Sequence, residues 1–286
     1  MSDESQVSIR IVTDSTSDLP REMAGAHGIT VIPCYINIGA RSYLDGVDLT
    51  RQEFYARLPT YDPFPKTAAP GIEMFRETYE RLIAEGATEI LSIHLSSTLS
   101  ALFNAATLGA QEVRGATVTT FDSRQLSLSA GWQAVTAAQL VAAGMSVAAT
   151  VAALQDQVVR TYACAVLDTL EYLRRGGRVS RLIAGLGTVL QIKPFLRVHD
   201  GEVTVEKTRT RKGALNRLSD WIQGLGALER AAIVYTDRPE CGEELRQLLR
   251  PVCPWLENSS SLQVTPIIGA HLGPGAAGVV CVAAKR

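Results

Sequence analysis

The sequence predicts an α/β fold with two lobes, an N-terminal lobe built on a mostly parallel sheet and a C-terminal lobe built on a mixed sheet. In the first half, short β-branched and apolar runs alternate with helical patterns, which is typical of a parallel sheet. In the second half, two such runs flank Asp200-Gly201, the strongest hairpin signal in the chain. The 286 residues suffice for two hydrophobic cores, and we place the lobes at 8–160 and 161–286.

The N-terminal lobe is predicted to begin with a strand at 9–13 and a polar turn. Pro20 suits the first turn of the short helix that follows. A second strand is predicted at 29–38 because the segment is rich in β-branched residues, although Pro33 interrupts it. The helix between these two strands provides the crossover that parallel strands require.

The next segments are a helix, a loop and another helix. Thr50 and Glu53 have the spacing of a capping box, which predicts a helix that runs to about Leu58. Three prolines lie within 62–71, so we predict an extended loop there, followed by a helix at 72–85.

A serine-rich turn follows the next predicted strand, at 90–95. Ser96, Ser97 and Thr98 form this turn, and apolar residues then recur at helical spacing over 99–106. The first amides of a helix lack backbone partners and carry the positive end of the helix dipole, which favours a carboxylate or phosphate site. The same hydroxyl groups are also ordinary helix N-caps. The local pattern leaves both interpretations open.

The remaining elements repeat the same patterns. They are a strand at 117–121, helices at 126–144 and 147–160, a buried strand at 163–167, a short helix from Glu171, hairpin strands at 192–198 and 202–208, a helix at 210–225, a strand at 231–235, a helix at 240–249, and strands at 261–265 and 279–283. Asp14 and Asp122 fall at the carboxyl ends of strands, where ligands of parallel sheets gather, although aspartate also favours turns for geometric reasons.

A glycine-rich segment at 268–278, predicted to be a loop, contains His271. Glycines permit close approach of the backbone to a bound molecule, so we expect His271 to face a ligand, although tight turns also use glycine. Arg174 and Arg175 precede a double glycine, and Arg178 follows it. Their charges suit the negative end of a helix, so a functional role is not needed to explain them.

Composition excludes several classes of protein. The 28 basic and 29 acidic residues nearly cancel, so the chain lacks the basic surplus of a nucleic-acid binder. The acidic, polar start does not resemble a signal peptide, and the five scattered cysteines fit a reducing compartment, so we expect a cytoplasmic protein. Residues 132–154 are alanine-rich and carry polar side chains, which favours helices in a soluble core over a membrane span.

Common catalytic and nucleotide-binding motifs are missing from the sequence. It contains neither a serine-hydrolase elbow, nor a Rossmann glycine motif after a strand, nor a Walker lysine loop. The histidines are isolated, and no pair has the spacing of a zinc site. We therefore expect no metal and no cofactor.

Five motifs, in their order along the chain, give the sequence a resemblance to a known family. They are Thr13-Asp14-Ser15-Thr16-Ser17-Asp18-Leu19-Pro20, Asp45-Gly46-Val47-Asp48-Leu49-Thr50, Leu95-Ser96-Ser97-Thr98-Leu99-Ser100, Leu170-Glu171-Tyr172-Leu173-Arg174-Arg175-Gly176-Gly177-Arg178 and His271-Leu272-Gly273-Pro274-Gly275. Together they resemble the DegV proteins, whose members include the fatty-acid-binding subunits of bacterial fatty acid kinase. The resemblance covers essentially the whole chain.

The resemblance implies one long-chain fatty acid in a tunnel between the two lobes. Its carboxylate would be held by Ser97, Thr67 and His271, with Ser96 and Thr98 in the same loop. The chain departs from the family at Ala68, Ala69, Gly71, Ala101 and Phe103, where polar residues, serine, glycine or tyrosine are common, so secondary polar contacts to the head group would differ.

The resemblance also implies a partner. In the family, a separate ATP-binding kinase phosphorylates the bound carboxylate, and arginines near the tunnel mouth help to dock it. Arg178 and Arg209 match these positions, and the chain alone would then perform no chemistry. The main alternative is a protein that binds or isomerises a small phosphorylated sugar, because a hydroxyl-rich loop after a strand also suits a phosphate. That alternative predicts a polar cavity.

Overall fold

The computed structural model describes residues 7–178, 192–254, 256, 259 and 261–285. The strands are β1 (Ile9–Asp14), β2 (Ile29–Ile32), β3 (Tyr35–Ile38), β4 (Arg41–Leu44), β5 (Lys66–Ala68), β6 (Glu89–His94), β7 (Thr117–Asp122), β8 (Thr161–Val166), β9 (Lys193–His199), β10 (Glu202–Thr208), β11 (Leu228–Tyr235), β12 (Ser261–Gln263) and β13 (Ala277–Ala283). The α-helices are α1 (Arg21–Ala26), α2 (Arg51–Arg57), α3 (Ile72–Ala84), α4 (Leu102–Glu112), α5 (Leu128–Ala142), α6 (Val147–Val158), α7 (Glu171–Arg175), α8 (Arg211–Gly224), α9 (Pro239–Leu249) and α10 (Pro266–Leu272).

The N-terminal sheet is parallel, as predicted. Its four strands lie in the order β2-β1-β6-β7. Strand β6 is buried at every position after the first, which is the pattern of a strand covered on both faces. Because all four strands run the same way, Asp14, the serine-rich turn after β6 and Asp122 meet at one edge of the sheet.

The C-terminal sheet is mixed, also as predicted. Its six strands lie in the order β10-β9-β8-β13-β11-β12, and every pair is antiparallel except β11 with β12. The β9–β10 hairpin turns at Asp200 and Gly201, both of which have positive φ, as a two-residue hairpin turn of type I′ requires.

A third, three-stranded sheet was not predicted. The segment 29–38 forms two strands, because the chain leaves the parallel sheet at Pro33-Cys34 and β3 pairs instead with β4 and β5. Strand β5 lies inside the segment predicted to be an extended loop. The prolines of that segment flank the three paired residues, so none of them interrupts the hydrogen bonds of β5.

Two helix boundaries also differ from the predictions. The segment predicted to be a glycine-rich loop begins with α10, because Pro266 occupies the first helical turn and the apolar residues after it are buried. His271 is therefore in the last turn of a helix. Helix α4 begins at Leu102 and not at 99, so the loop after β6 is longer than predicted.

The two large sheets share one core. The largest hydrophobic cluster contains residues from both sides of the predicted boundary at 160/161, including Ile11 and Leu102 on one side and Ile268 and Val282 on the other. A second cluster, packed by α8 and α9, is confined to the C-terminal part. The division into lobes at this boundary remains a prediction.

Candidate functional site

Thr67 and His271 form a hydrogen-bonded pair between two distant parts of the chain. Thr67 lies on β5, and His271 lies in the last turn of α10; Thr67 Oγ1 and His271 Nε2 are 2.9 Å apart. The pairing of Thr67 with Ile36 in the small sheet holds the threonine in place. The structure thus brings together two of the residues that the sequence analysis assigned to the head group.

The environment of His271 favours a neutral imidazole. Burial lowers its pKa to about 4, and the nearby positive charge of Arg178 contributes to the shift. Its Nδ1 is buried and has no hydrogen-bond partner among the described residues. A carboxylate bound beside this ring would favour the charged imidazolium and would therefore raise the pKa of His271.

An apolar cavity of about 120 Å³ opens beside this pair. Thr67, His271, Ser100 and Arg178 line it together with Thr16. The remaining lining residues are mostly aliphatic and come from both sheets and from the helices around them: Cys34, Ala68, Ala69, Leu95, Leu99, Leu102, Leu126, Leu173, Leu196, Val198, Val203, Ile267, Ile268 and Leu272. Thr67, His271 and Arg178 therefore give the cavity a polar end, and most of the remaining lining is aliphatic.

Two smaller cavities continue this space into the core. A cavity of about 60 Å³ shares five lining residues with the first one: Leu126, Leu196, Val198, Ile268 and Leu272. A third, of about 10 Å³, shares four lining residues with the second: Ala165, Val234, Val264 and Leu272. Where the resemblance implied a tunnel, the described residues line three cavities that share aliphatic lining residues.

The serine-rich turn does not point its hydroxyl groups into this cavity. Ser97 Oγ donates to Asp122 Oδ2 at 2.6 Å, and Ser97 is exposed. Ser96 Oγ and Thr98 Oγ1 are 3.0 Å apart, and Thr98 Oγ1 donates to the carbonyl of Gly201 at 2.7 Å. None of these three residues lines the cavity. The structure does not join Ser97 to the Thr67–His271 pair, and its contact with a head group remains a prediction.

Ser100 was missed by the sequence analysis. It lines the cavity, and its Oγ accepts a hydrogen bond from the backbone N–H of Leu102 at 3.2 Å, which leaves its own proton available to a ligand. The apolar spacing over 99–106 predicts that Ser100 lies within a helix, whereas the helix begins at Leu102. The N-cap residue is Ala101, and Ser100 instead forms a serine turn with the N–H two residues on, a local pattern that serine favours outside helices.

The two predicted docking arginines lie in different environments. Arg178 lines the cavity, and its Nη1 donates to the carbonyl of Gly176 at 2.7 Å. Arg209 is exposed in the turn between β10 and α8 and does not line the cavity. Only Arg178 is close enough to His271 to affect its pKa.

A buried polar network lies next to the cavity and is connected to it through Thr16. His94 Nδ1 is 2.9 Å from Asp14 Oδ2, His94 Nε2 is 2.6 Å from Ser92 Oγ, and Tyr79 donates to Ser92 Oγ at 2.9 Å. Ser92, His94 and Asp14 are fully buried, so this serine–histidine–aspartate chain offers no access to a substrate. Thr16 Oγ1 donates to Asp14 and thereby connects the network to the cavity.

The described part of the chain contains neither a metal-binding cluster nor a membrane-spanning helix. Within the described ranges, no group of three or more histidine, cysteine, aspartate or glutamate side chains could hold a metal ion. No helix in the same part of the chain is long and apolar enough to cross a bilayer.

Comparison with known proteins gives consistent matches over the whole chain. The model of the family described as "uncharacterised protein, DegV family" matches residues 8–284. A DegV domain-containing protein of Streptomyces coelicolor is 35% identical over 275 residues, which cover 95% of this chain and 97% of that protein. A DegV domain-containing protein of Listeria innocua is 34% identical with the same coverage.

Solved structures with the same fold include proteins described as binding fatty acids. One is a fatty-acid-binding DegV family protein of Thermus thermophilus, with 31% identity and a TM-score of 0.86 over 97% of this chain and 100% of that chain. Another is DegV of Bacillus subtilis, a fatty acid binding protein, with 30% identity, the same TM-score and the same coverage. The sequence matches and the shared fold together show that this chain belongs to the DegV family.

Proposed function

We propose that this protein binds one long-chain fatty acid and presents its carboxylate to a separate ATP-dependent kinase. The observation that carries the proposal is the hydrogen-bonded pair of Thr67 and His271 at the polar end of an apolar cavity. Relatives with the same fold are described as fatty-acid-binding proteins, which supports the same ligand here.

The polar end of the cavity matches the needs of a carboxylate. A buried carboxylate must be hydrogen-bonded or paired with a cation. Thr67 and Ser100 provide hydroxyl groups, His271 provides an imidazole that becomes a donor, and Arg178 provides a positive charge. We assign the head group to these four residues, and Ser97 takes part only if its bond to Asp122 breaks.

The apolar body supplies most of the affinity. Burying about 14 methylene groups at about 0.8 kcal/mol each yields on the order of 10 kcal/mol before the cost of ordering the ligand is subtracted. The cavity of about 120 Å³ is smaller than the roughly 300–1,000 Å³ of usual ligand pockets. The tail must therefore displace aliphatic side chains, above all Leu126, Leu196 and Leu272, which line both the first and the second cavity.

The chemistry belongs to the partner in this proposal. The kinase transfers the γ-phosphoryl group of ATP to a carboxylate oxygen, which forms an acyl phosphate and ADP. Such transfer needs metal and basic groups that position the phosphates. Arg209, exposed beside β10, then serves as a docking residue, and Arg178 faces both the head group and the incoming kinase.

The cavity lining favours a lipid over a phosphorylated sugar. A phosphosugar requires polar partners around most of its surface, whereas the lining has a few polar residues at one end and aliphatic residues elsewhere.

Native mass spectrometry of freshly purified protein tests the ligand. We expect a co-purifying mass in the fatty-acid range that is lost on delipidation and regained when a C14 to C20 fatty acid is added. A protein that takes up none of these fatty acids after delipidation would rule out the proposal. A co-purifying phosphosugar would favour the alternative.

A further inference from the structure

Two side chains of α2 hold the segment of backbone that leads into α10. Tyr55 Oη donates to the carbonyl of Val264 at 3.0 Å and lies 3.4 Å from the carbonyl oxygen of Thr265. Arg51, at the start of the same helix, donates to the carbonyl of Gln263. Three consecutive carbonyl groups before α10 therefore face one helix of the N-terminal part of the chain.

Asp18 holds the same segment through a backbone N–H group. Its fully buried carboxylate accepts from the N–H of Thr265 at 2.6 Å and from Ser127 Oγ. Thr265 is the residue just before α10, and its carbonyl accepts the helical hydrogen bond from the N–H of Gly269 at 2.9 Å. The start of α10 is therefore held at both the N–H and the C=O groups of its backbone.

Tyr55 also packs against the middle of α10. A Cβ atom on Gly269 would be 2.1 Å from Tyr55 Oη and 2.6 Å from its Cζ, so the phenol occupies the space that a side chain would need. Burial raises the pKa of Tyr55 well above its usual value, so the hydroxyl keeps its proton and remains a donor. Gly269 is two residues before His271. One side chain therefore touches α10 both at its start and close to the imidazole.

The two members of the Thr67–His271 pair lie on elements that this contact joins. Thr67 is on β5, which follows α2 along the chain and pairs with β3 of the small sheet. His271 is on α10, which connects β12 to β13 of the C-terminal sheet. The distance of 2.9 Å between Thr67 Oγ1 and His271 Nε2 therefore depends on how α10 is held against α2.

We propose that Tyr55 is a positioning residue of the carboxylate site, which holds α10 so that His271 stays in reach of Thr67 and of the head group. This role rests on the proposed function, and it goes beyond the residues that line the cavity, because Tyr55 is not one of them. Asp18 and Arg51 assist by holding the backbone before α10. Tyr55 thus acts on the ligand only through the imidazole.

Tyr55→Phe tests the proposal, because phenylalanine keeps the ring against Gly269 and removes only the hydroxyl. We expect the affinity for a fatty acid to fall about tenfold, which corresponds to one buried hydrogen bond. In the His271→Asn background the same substitution should have almost no further effect, since Tyr55 acts through the imidazole. Thr161→Val is the matched control. It removes another buried hydroxyl, which donates to the carbonyl of Gln157 at 2.7 Å, and it should leave the affinity unchanged.

An NMR titration of the His271 imidazole in delipidated protein gives a second measurement that needs no lipid. When α10 is held less firmly, water reaches the ring, so Tyr55→Phe should raise the pKa of His271 from about 4 toward its ordinary value of 6.5. Thr161→Val should leave this pKa where it is in the wild type.

Three outcomes would overturn the proposal. They are an unchanged pKa of His271 in Tyr55→Phe, an unchanged fatty-acid affinity in that variant, and an equal loss of affinity with and without His271, which would show that Tyr55 supports the fold as a whole. If the wild type takes up no fatty acid, the proposed function fails, whereas the titration still decides whether Tyr55 positions the ring. If Tyr55→Phe does not fold, Arg51→Gln replaces it with the same expectations, because it removes the bond to the carbonyl of Gln263.

Discussion

Gly176, at the end of α7, lies so close to His271 that a Cβ atom on it would be 2.2 Å from the imidazole Nδ1. The backbone of Gly176 has φ of −74°, which any residue adopts, so the glycine is required by space and not by conformation. The end of α7 and the last turn of α10 therefore fix the position of the imidazole together.

The first prediction follows from this contact. Gly176→Ala should displace His271 from Thr67 and weaken fatty-acid binding at least tenfold, while the fold is retained. Titration of delipidated protein with a fluorescent fatty acid measures the effect. Gly224→Ala is the matched control, because a Cβ at Gly224 meets no atom within 4 Å. Equal affinities of the two variants would show that the position of His271 does not matter.

The second prediction separates the hydroxyl groups of the site. Thr67→Val and Ser100→Ala should each weaken fatty-acid binding, because a lost hydrogen bond to a charged group costs about 1.5 to 3 kcal/mol, or roughly 10- to 150-fold. Ser97→Ala should have a smaller effect, since the Ser97 hydroxyl is bound to Asp122. A stronger loss in Ser97→Ala than in Ser100→Ala would show that the loop rearranges around the ligand.

The third prediction is that His271 takes up a proton when a fatty acid binds. The pKa of His271 is lowered to about 4 in the free protein, so the ring is neutral at pH 6. A carboxylate beside it should raise this pKa, and binding should then take up a proton and become tighter as the pH falls from 7 toward 5. Calorimetry in buffers of different ionisation enthalpy measures this uptake. His271→Asn should remove the uptake that comes from the ring, and an unchanged uptake would place the proton elsewhere.

The fourth prediction divides the roles of the two arginines. Arg178→Ala should weaken both fatty-acid binding and acyl-phosphate formation by the partner kinase, because Arg178 lines the cavity. Arg209→Ala should leave binding intact and reduce only acyl-phosphate formation, since Arg209 is exposed away from the cavity. Acyl phosphate made from ATP by the purified single chain would contradict the assignment of the chemistry to a partner.

The fifth prediction is a pH dependence of stability. Burial raises the pKa of Asp45 to about 7, while a hydrogen bond from Ser15 opposes the shift and the charge of Asp18 adds to it. The unfolded chain releases this proton near the ordinary value of 3.8, so the free energy of unfolding should fall as the pH rises from about 4 to about 7.

Asp45→Asn should remove this dependence and make the delipidated protein more stable than the wild type at pH 8. Urea unfolding of both proteins at pH 5 and pH 8 measures the free energies of unfolding. His271, whose lowered pKa makes stability rise with pH, contributes equally to both proteins and cancels in the difference. The same loss of stability in both proteins between these pH values would show that Asp45 is not the group responsible.

The sequence predicts the two large sheets well because their signals are local. Alternating strand and helix patterns identify the parallel sheet, and Asp200-Gly201 identifies the hairpin. Strand β5 was missed because its pairing with β3 is a tertiary contact between segments with no strong strand pattern. The helical position of His271 was missed because the glycines around it predict a loop, whereas burial of the apolar residues of α10 favours the helix.

The candidate site was predicted less completely for a similar reason. Thr67 and His271 were found through the family resemblance, and the structure places them in contact. The choice between Ser97 and Ser100 depends on where α4 begins, and the apolar spacing does not define that point to within three residues. A partner such as Asp122 for Ser97 can be recognised only once the neighbouring strands are placed side by side.

The 3-10 turn Ser15–Ser17 forms a wall between two cavities, since Thr16 lines the apolar cavity beside His271 whereas Ser15 and Ser17 line a second cavity of about 650 Å³. Pro33 and Cys34 are divided in the same way. A ligand that shifts this wall from one side alters the space on the other side, and thermodynamic linkage then requires the effect to be reciprocal. If a small molecule in the second cavity tightens lipid binding by some factor, the lipid must tighten the binding of that molecule by the same factor, so the occupancy of one cavity affects the other.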